Sequence, residues 1–243
     1  MEPLEVRPDD ALGVLLDDAA GVLLDLDGTL FDHDAAADAG VRAWLPTRGL
    51  DATDEAVARW RALEEPHLAA WRAGTVTYAE QRRRRLRDFL AISGTDAELD
   101  AVFAGYLRHY EAAWFAYDDA VPALTALAAA GVATAVLTNG SAVQQRKKLT
   151  RTGLAGLVGP VFTVDDLGVA KPDPAAFRRA CERWGRPADR VVSVGDNYAL
   201  DVLGARAAGL RAIHLDRLAR GPYDETHRIT TLRDLPVPPR PQG

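Results

Sequence analysis

A short apolar run at 21–27 (GVLLDLD) breaks off at Gly28-Thr29, and nothing strand-like follows until beyond Tyr117. That spacing constrains the fold more than any other feature of the chain. A strand apolar on successive side chains is buried on both faces, which is the habit of parallel sheets covered by helices. From Ala35 to Tyr117 the signals are helical instead. Thr77-x-x-Glu80 and Thr95-x-x-Glu98 fit capping boxes, and no β-branched run intervenes. The pattern predicts about four helices there.

After Tyr117 strands and helices alternate. Helices are expected over 120–130, closed by Gly131, and from a Ser141 cap to about 152, stopped by Gly153. Two more are expected over 174–184, with proline in the first turn, and over 199–208. Strands are expected over 132–138, 161–164, 191–194 and 210–215. The fold class is therefore α/β: a Rossmann-like parallel sheet with helices on both faces and an inserted α-helical domain. Residues 1–32 and 118–235 would form the core, 33–117 the insertion, and 236–243 (PVPPRPQG) a flexible Pro-rich tail. A chain of 243 residues is long enough for both domains.

In an open parallel sheet, ligands bind beyond the carboxyl ends of the strands. The first run ends in Asp25 and Asp27, the second strand in Thr138-Asn139-Gly140, and a later one in Gly195-Asp196-Asn197, with Asp201 a helical turn on. Lys171 precedes Pro172-Asp173-Pro174. Of 29 basic residues only Lys147, Lys148 and Lys171 are lysines, so an isolated one invites a chemical reason. Two carboxylates about 4 Å apart repel by roughly 4 kcal/mol at an effective dielectric near 20. Asp25, Asp27 and Asp196 on one rim therefore need positive charge, and a divalent cation with Lys171 supplies three units against three. Hard oxygen donors beside a phosphate point to magnesium. Taken singly, Asp-x-Asp and Thr-Asn-Gly are turn formers and Lys171 a surface lysine. Their convergence on one rim is what favours chemistry.

In this order the residues resemble the haloacid dehalogenase (HAD) superfamily of phosphohydrolases. Asp25-Leu26-Asp27-Gly28-Thr29-Leu30 is similar to its first motif and Leu137-Thr138-Asn139-Gly140 to its second. Lys171-Pro172-Asp173-Pro174 resembles the third, and Gly195-Asp196-Asn197 with Asp201 the fourth. The helical insertion resembles the C1-type cap of subfamily I. The resemblance implies Asp25 as nucleophile, forming an aspartyl-phosphate, and Asp27 as the acid that protonates the leaving oxygen and then activates water. It implies a Mg2+ held by Asp25, Asp196 and the main-chain carbonyl of Asp27, with Asp201 behind it. Thr138, the Asn139 N–H and the helix at Ser141 would bind the phosphate, Lys171 would neutralise it, and Gly28 would allow close approach.

Magnesium-dependent hydrolysis of a small phosphate monoester is thus the leading expectation. A 2-haloacid dehalogenase shares the fold and the nucleophile but, as the resemblance implies, lacks the counterparts of Asp27 and Asp196, and is disfavoured. A phosphomutase, or a non-catalytic binding module on this scaffold, remains open. The stretch 138–149 (TNGSAVQQRKKL) with Gly153-Leu154 resembles the second-motif region of nucleotidases in the superfamily, wording shared with phosphoglycolate and sugar-phosphate phosphatases. The lean is to a nucleotide or small-metabolite phosphate, with His33, at the entry to the insertion, a candidate reader of it.

A net charge of −6 gives nucleic-acid binding no support. No apolar stretch is suited to crossing a membrane and no signal peptide is visible, and a single cysteine, Cys181, fits a reducing cytosol. A cytoplasmic monomer or loose homodimer is expected. Arg82 to Arg85 point in different directions on a helix and read as a solvated face, with one arginine free to turn to the site. Trp44, Trp60, Trp71 and Trp114 read as core of the insertion, and Cys181 as a buried hydrophobe.

Overall fold

The computed structural model describes residues 15–237, and the N-terminal MEPLEVRPDD and most of the tail expected at 236–243 lie outside the described residues. The chain runs through β1 (Gly21–Leu24) into α1 (His33–Trp44), α2 (Asp54–Ala62), α3 (Glu64–Arg72), α4 (Tyr78–Leu90) and α5 (Asp96–Ala112). It continues with α6 (Ala120–Ala129), β2 (Thr134–Thr138), α7 (Ala142–Arg151), β3 (Val161–Thr163), α8 (Val164–Leu167), α9 (Pro174–Trp184) and β4 (Val191–Gly195). A π-helical turn (Tyr198–Leu203) leads into α10 (Gly204–Ala207), β5 (Arg211–Leu215) and β6 (Arg228–Ile229). Two compact units separate between Phe31 and Asp32 and again between Phe115 and Ala116.

The first unit is a Rossmann-like α/β domain. Its strands lie in the order β3-β2-β1-β4-β5-β6, all parallel, with Val22 opposite Thr134 on one side and Val192 on the other. All four residues of β1 are buried, as a central strand requires. Under the sheet Leu23, Ala135, Leu137, Phe162, Phe177 and Val202 form one apolar cluster. α9 begins and ends where its sequence predicts. Pro174 occupies the first turn, Asp173 accepts from the Ala175 N–H at 2.8 Å, and Gly185 ends the helix in the left-handed region at φ 69°.

Three departures have local causes. β3 stops at Thr163, whose hydroxyl caps α8 in a reciprocal box with Asp166, so the residues after it turn rather than extend. The helix expected over 199–208 is a π-helical turn followed by a short α-helix. Ser141 stands at the N-cap of α7 but makes no cap bond; Asp165, from α8, accepts from the Ala142 N–H at 2.7 Å instead.

The second unit, Asp32–Phe115, is wholly helical, with five α-helices and a 3-10 turn at Leu45–Arg48 where about four helices were expected. The extra break falls at Leu63, because Pro66 has no N–H to return to the carbonyl of Ala62. Thr95 and Glu98 complete their capping box, whereas Glu80 turns its carboxylate to Arg84 and Arg87. Trp60 is the centre of this core, 5.6 Å from Trp44, 5.0 Å from Phe89 and 4.7 Å from Tyr106 between ring centroids. The four consecutive arginines do point apart. Arg82 lies over Tyr78, Arg83 pairs with Asp96 and Asp100, and Arg84 pairs with Glu80. Arg85 overturns the solvated-face reading: it is buried 3.9 Å over the Trp60 ring and donates to the Trp60 carbonyl and Glu64. His33 sits within this unit too, 2.8 Å from the Tyr110 hydroxyl and 3.0 Å from Glu64.

Candidate active site

The site is built at the carboxyl ends of β1, β2 and β4, wholly within the α/β unit. Past Leu24 the Asp25 N–H still donates to the Val194 carbonyl at 2.9 Å, so the first carboxylate leaves the sheet at a fixed register. The chain then turns tightly, with the Leu30 and Phe31 N–H groups both donating to the Leu26 carbonyl. Gly28 takes φ +87°, and a Cβ there would lie 2.4 Å from Asp196 Oδ2, so only glycine fits between the turn and that carboxylate. Arg217 pins the turn from beneath. It donates to the carbonyls of Gly28 and Thr29 and, through two bonds, to Asp119, and lies 3.8 Å over the Tyr117 ring.

Lys171 is buried and links two carboxylates. Its Nζ lies 2.6 Å from Asp25 Oδ1 and 2.5 Å from Asp201 Oδ1. Burial would lower its pKa, but the charges of Asp201 and Asp25 outweigh that and hold the ammonium above the ordinary lysine range. Its main chain is fixed by Asn139, which donates from Nδ2 to the Lys171 carbonyl and accepts from its N–H, both at 2.8 Å. The Thr-Asn-Gly segment after β2 and the Lys-Pro segment before α9 are thereby tied together. Asp201, held on the π-helical turn, also accepts from the Asn197 N–H at 3.0 Å. Asp196 leans on Thr29, whose hydroxyl accepts from its N–H at 3.2 Å.

Asp25, Asp196 and Asp201 each bring a carboxylate oxygen within 4.8 Å of the other two. Burial first, then mutual repulsion, raises Asp25 and Asp196 well above the usual carboxylate range; at Asp25 the Lys171 charge opposes the rise. Asp196 nevertheless presents surface to solvent. With Asp27 the site gathers four carboxyl groups around two ammonium groups, Lys171 and Lys148, among the described residues, so ionising all four calls for further positive charge. The tally of three against three read from the sequence is corrected accordingly, since Asp201 and Lys148 both belong to the cluster. The donor set is all oxygen and, once ionised, short of positive charge, which is the chemistry a hard divalent cation fits.

Gln145 and Lys148 are the residues the sequence reading missed. Gln145 Nε2 donates to Asp27 Oδ2 at 2.7 Å and to Thr138 Oγ1 at 2.6 Å, and Lys148 Nζ lies 2.5 Å from Asp27 Oδ1. The scarcity of lysine was a signal for Lys148, and both residues lie in the stretch 138–149 whose resemblance was noted, but no role was read for either. His214 is a further addition, its Nε2 3.2 Å from the Asp196 carbonyl.

Comparison with known proteins agrees with this architecture. A model of the haloacid dehalogenase-like hydrolase family matches residues 19–209. A phosphoserine phosphatase from Thermus thermophilus is 34% identical over 79% of this chain and 76% of its own length. An (S)-2-haloacid dehalogenase from Pseudomonas is also 34% identical, over 50% of this chain and 55% of its own. Among solved structures, the magnesium-bound HAD hydrolase YfnB of Bacillus subtilis superposes with a TM-score of 0.77 at 23% identity, covering 90% of this chain and 97% of that one. The fold and the site define a hydrolase of the Rossmann-like class. The chain belongs to the haloacid dehalogenase-like hydrolase family.

Proposed function

We propose that this hydrolase removes phosphate from a small phosphate monoester through a covalent intermediate on Asp25. The observation that carries the reading is the pairing of Asp25 with a buried Lys171 while a second carboxylate, Asp27, stands two residues away with both oxygens hydrogen-bonded. Displacing a halide needs neither a proton donor nor a metal, so a dehalogenase would have no use for Asp27 or for the Asp25–Asp196–Asp201 cluster.

The Asp25 carboxylate attacks phosphorus, the bond from phosphorus to the ester oxygen breaks, and Asp27 gives that oxygen its proton. Asp27 then takes a proton from water as the water attacks phosphorus, which frees Asp25 and releases phosphate. Lys171 meets the developing charge, and Thr138, the Asn139 N–H and the backbone at Gly28 bind the phosphoryl oxygens. Asp25, Asp196 and the Asp27 carbonyl would hold magnesium, with Asp201 supporting them, and the cation neutralises charge on the phosphoryl group when bound. The phosphoserine phosphatase relative supports a small phosphorylated substrate. The helical unit acts as the cap that selects it, the lean being to a nucleotide or small-metabolite phosphate.

Hydrolysis of p-nitrophenyl phosphate, with magnesium and with EDTA, tests the proposal. Magnesium-dependent release should occur in the wild type and vanish in Asp25→Asn, whose melting curve stays cooperative. Release that survives in Asp25→Asn overturns the nucleophile, and conversion of a bisphosphate or sugar phosphate to its isomer without free phosphate would make the enzyme a mutase.

A further inference from the structure

We infer that Gln145 and Lys148 are positioning residues that hold the Asp27 carboxyl group for proton transfer and turn the Thr138 hydroxyl proton toward the phosphoryl group. The inference rests on the phosphatase reading and gives that site two working side chains to which the resemblance assigned no role.

Both residues project from one face of α7, three positions apart, onto a carboxylate more than a hundred residues earlier. Gln145 takes Oδ2 and Lys148 takes Oδ1, so the carboxyl group is fixed about its own bond. Each is 1% exposed, and the Lys148 ammonium lies 4.6 Å from the centre of the Phe31 ring. Burying an ammonium is costly unless it is paired, and a pair repays that cost only with close geometry and further hydrogen bonds. This one is lopsided: the Lys148 side chain is 2% exposed and that of Asp27 is 30%. The cation backs the carboxylate from inside while the carboxylate stays accessible from outside.

Gln145 reaches further. Its Nε2 has two hydrogens, one on Asp27 and the other on Thr138 Oγ1 at 2.6 Å. The Gly140 N–H also donates to that oxygen, at 3.3 Å. A hydroxyl has two acceptor sites and one proton, so with both acceptor sites used Thr138 is left to donate. The amide assignment follows from the Asp27 carboxylate, since a Gln oxygen turned to it would face another acceptor. One side chain thus sets the acid and the phosphate-binding hydroxyl together.

The test compares kcat/KM for p-nitrophenyl phosphate, whose leaving group departs without help, with that for phenyl phosphate, whose leaving group needs a proton. Wild type, Gln145→Leu, Lys148→Met and Asp27→Asn are measured with magnesium, and melting curves confirm which are folded. General acid assistance is worth about 10²–10⁴-fold, so misplacing Asp27 should cost phenyl phosphate at least about tenfold more than p-nitrophenyl phosphate. A loss of purely structural origin would fall on both esters alike, and equal factors in the folded variants overturn the inference. If Lys148→Met does not fold, Gln145→Leu decides alone. The two levels fail differently. A wild type inactive on both esters overturns the phosphatase reading and the inference with it, whereas an active wild type with ester-independent losses overturns only the inference.

Discussion

At Lys171 a compact ammonium bridges Asp25 and Asp201 at 2.6 and 2.5 Å in a buried pocket. A guanidinium is planar and bulkier, and cannot place one nitrogen between two carboxylates at those distances. Lys171→Arg should therefore lower kcat by about 10²-fold or more, the scale on which loss of a donor to transition-state charge is felt. Steady-state kinetics beside a melting curve checks this, and a folded variant with near-normal kcat would remove Lys171 from the chemistry. The same scale shows what was legible in the chain. Asp25, Asp27, Thr138, Lys171 and Asp196 could be read because each follows a recognisable strand or precedes a helix, so its place on the rim is dictated locally. Gln145 and Lys148 lie inside an ordinary helical stretch, and their partner Asp27 is 118 and 121 residues away, a proximity that only the folded sheet creates.

Among the elements, α7 carries Thr138's amide partner and Asp27's cation, so its anchorage matters to the site. The anchor is Asp165 rather than Ser141, and the contact spans 23 residues. Asp165→Ala should cost about 1 kcal/mol, the usual value of a lost helix cap, and lower Tm by about 2–4 °C. Ser141→Ala should shift Tm far less, and equal shifts would return the capping role to Ser141. Local signals served well where the decisive contacts were local, as at α9 with its Asp173, Pro174 and Gly185. They failed at β6, which has two residues and exists because β5 offers it an edge. The loop before β6 offers a pH test. Arg206, through two bonds to its carboxylate, and the His227 N–H pull Glu225 down from 4.5 to about 2. A value lowered in the folded state gives stability that is present above about pH 4.5 and lost as pH falls toward 2. Wild type should therefore melt above Glu225→Gln at pH 7, and the gap should close between about pH 4.5 and 2. A gap that is constant with pH would mean the pair adds nothing through ionisation.

For the whole molecule, the family fold is shared by phosphatases and dehalogenases, so the sheet cannot say which chemistry is run. On the proposed reading, what separates them is the charge gathered at one rim. A dehalogenase has no reason to maintain four carboxylates against two ammonium groups, because the surplus costs folding energy without a cation to balance it. A phosphatase that loads magnesium recovers that cost on binding. Magnesium should then raise Tm relative to EDTA, by about 2.7 kcal/mol of stability at a hundred times its Kd. Asp196→Asn should abolish the magnesium-dependent shift while leaving the metal-free protein as stable as wild type or more so, because a carboxyl group that burial and its neighbours hold back from ionising is gone. Differential scanning fluorimetry across a magnesium titration measures both effects in one experiment. If wild type melts at the same temperature with magnesium and with EDTA, the rim is not a cation site, and the charge argument for phosphoryl transfer falls with it.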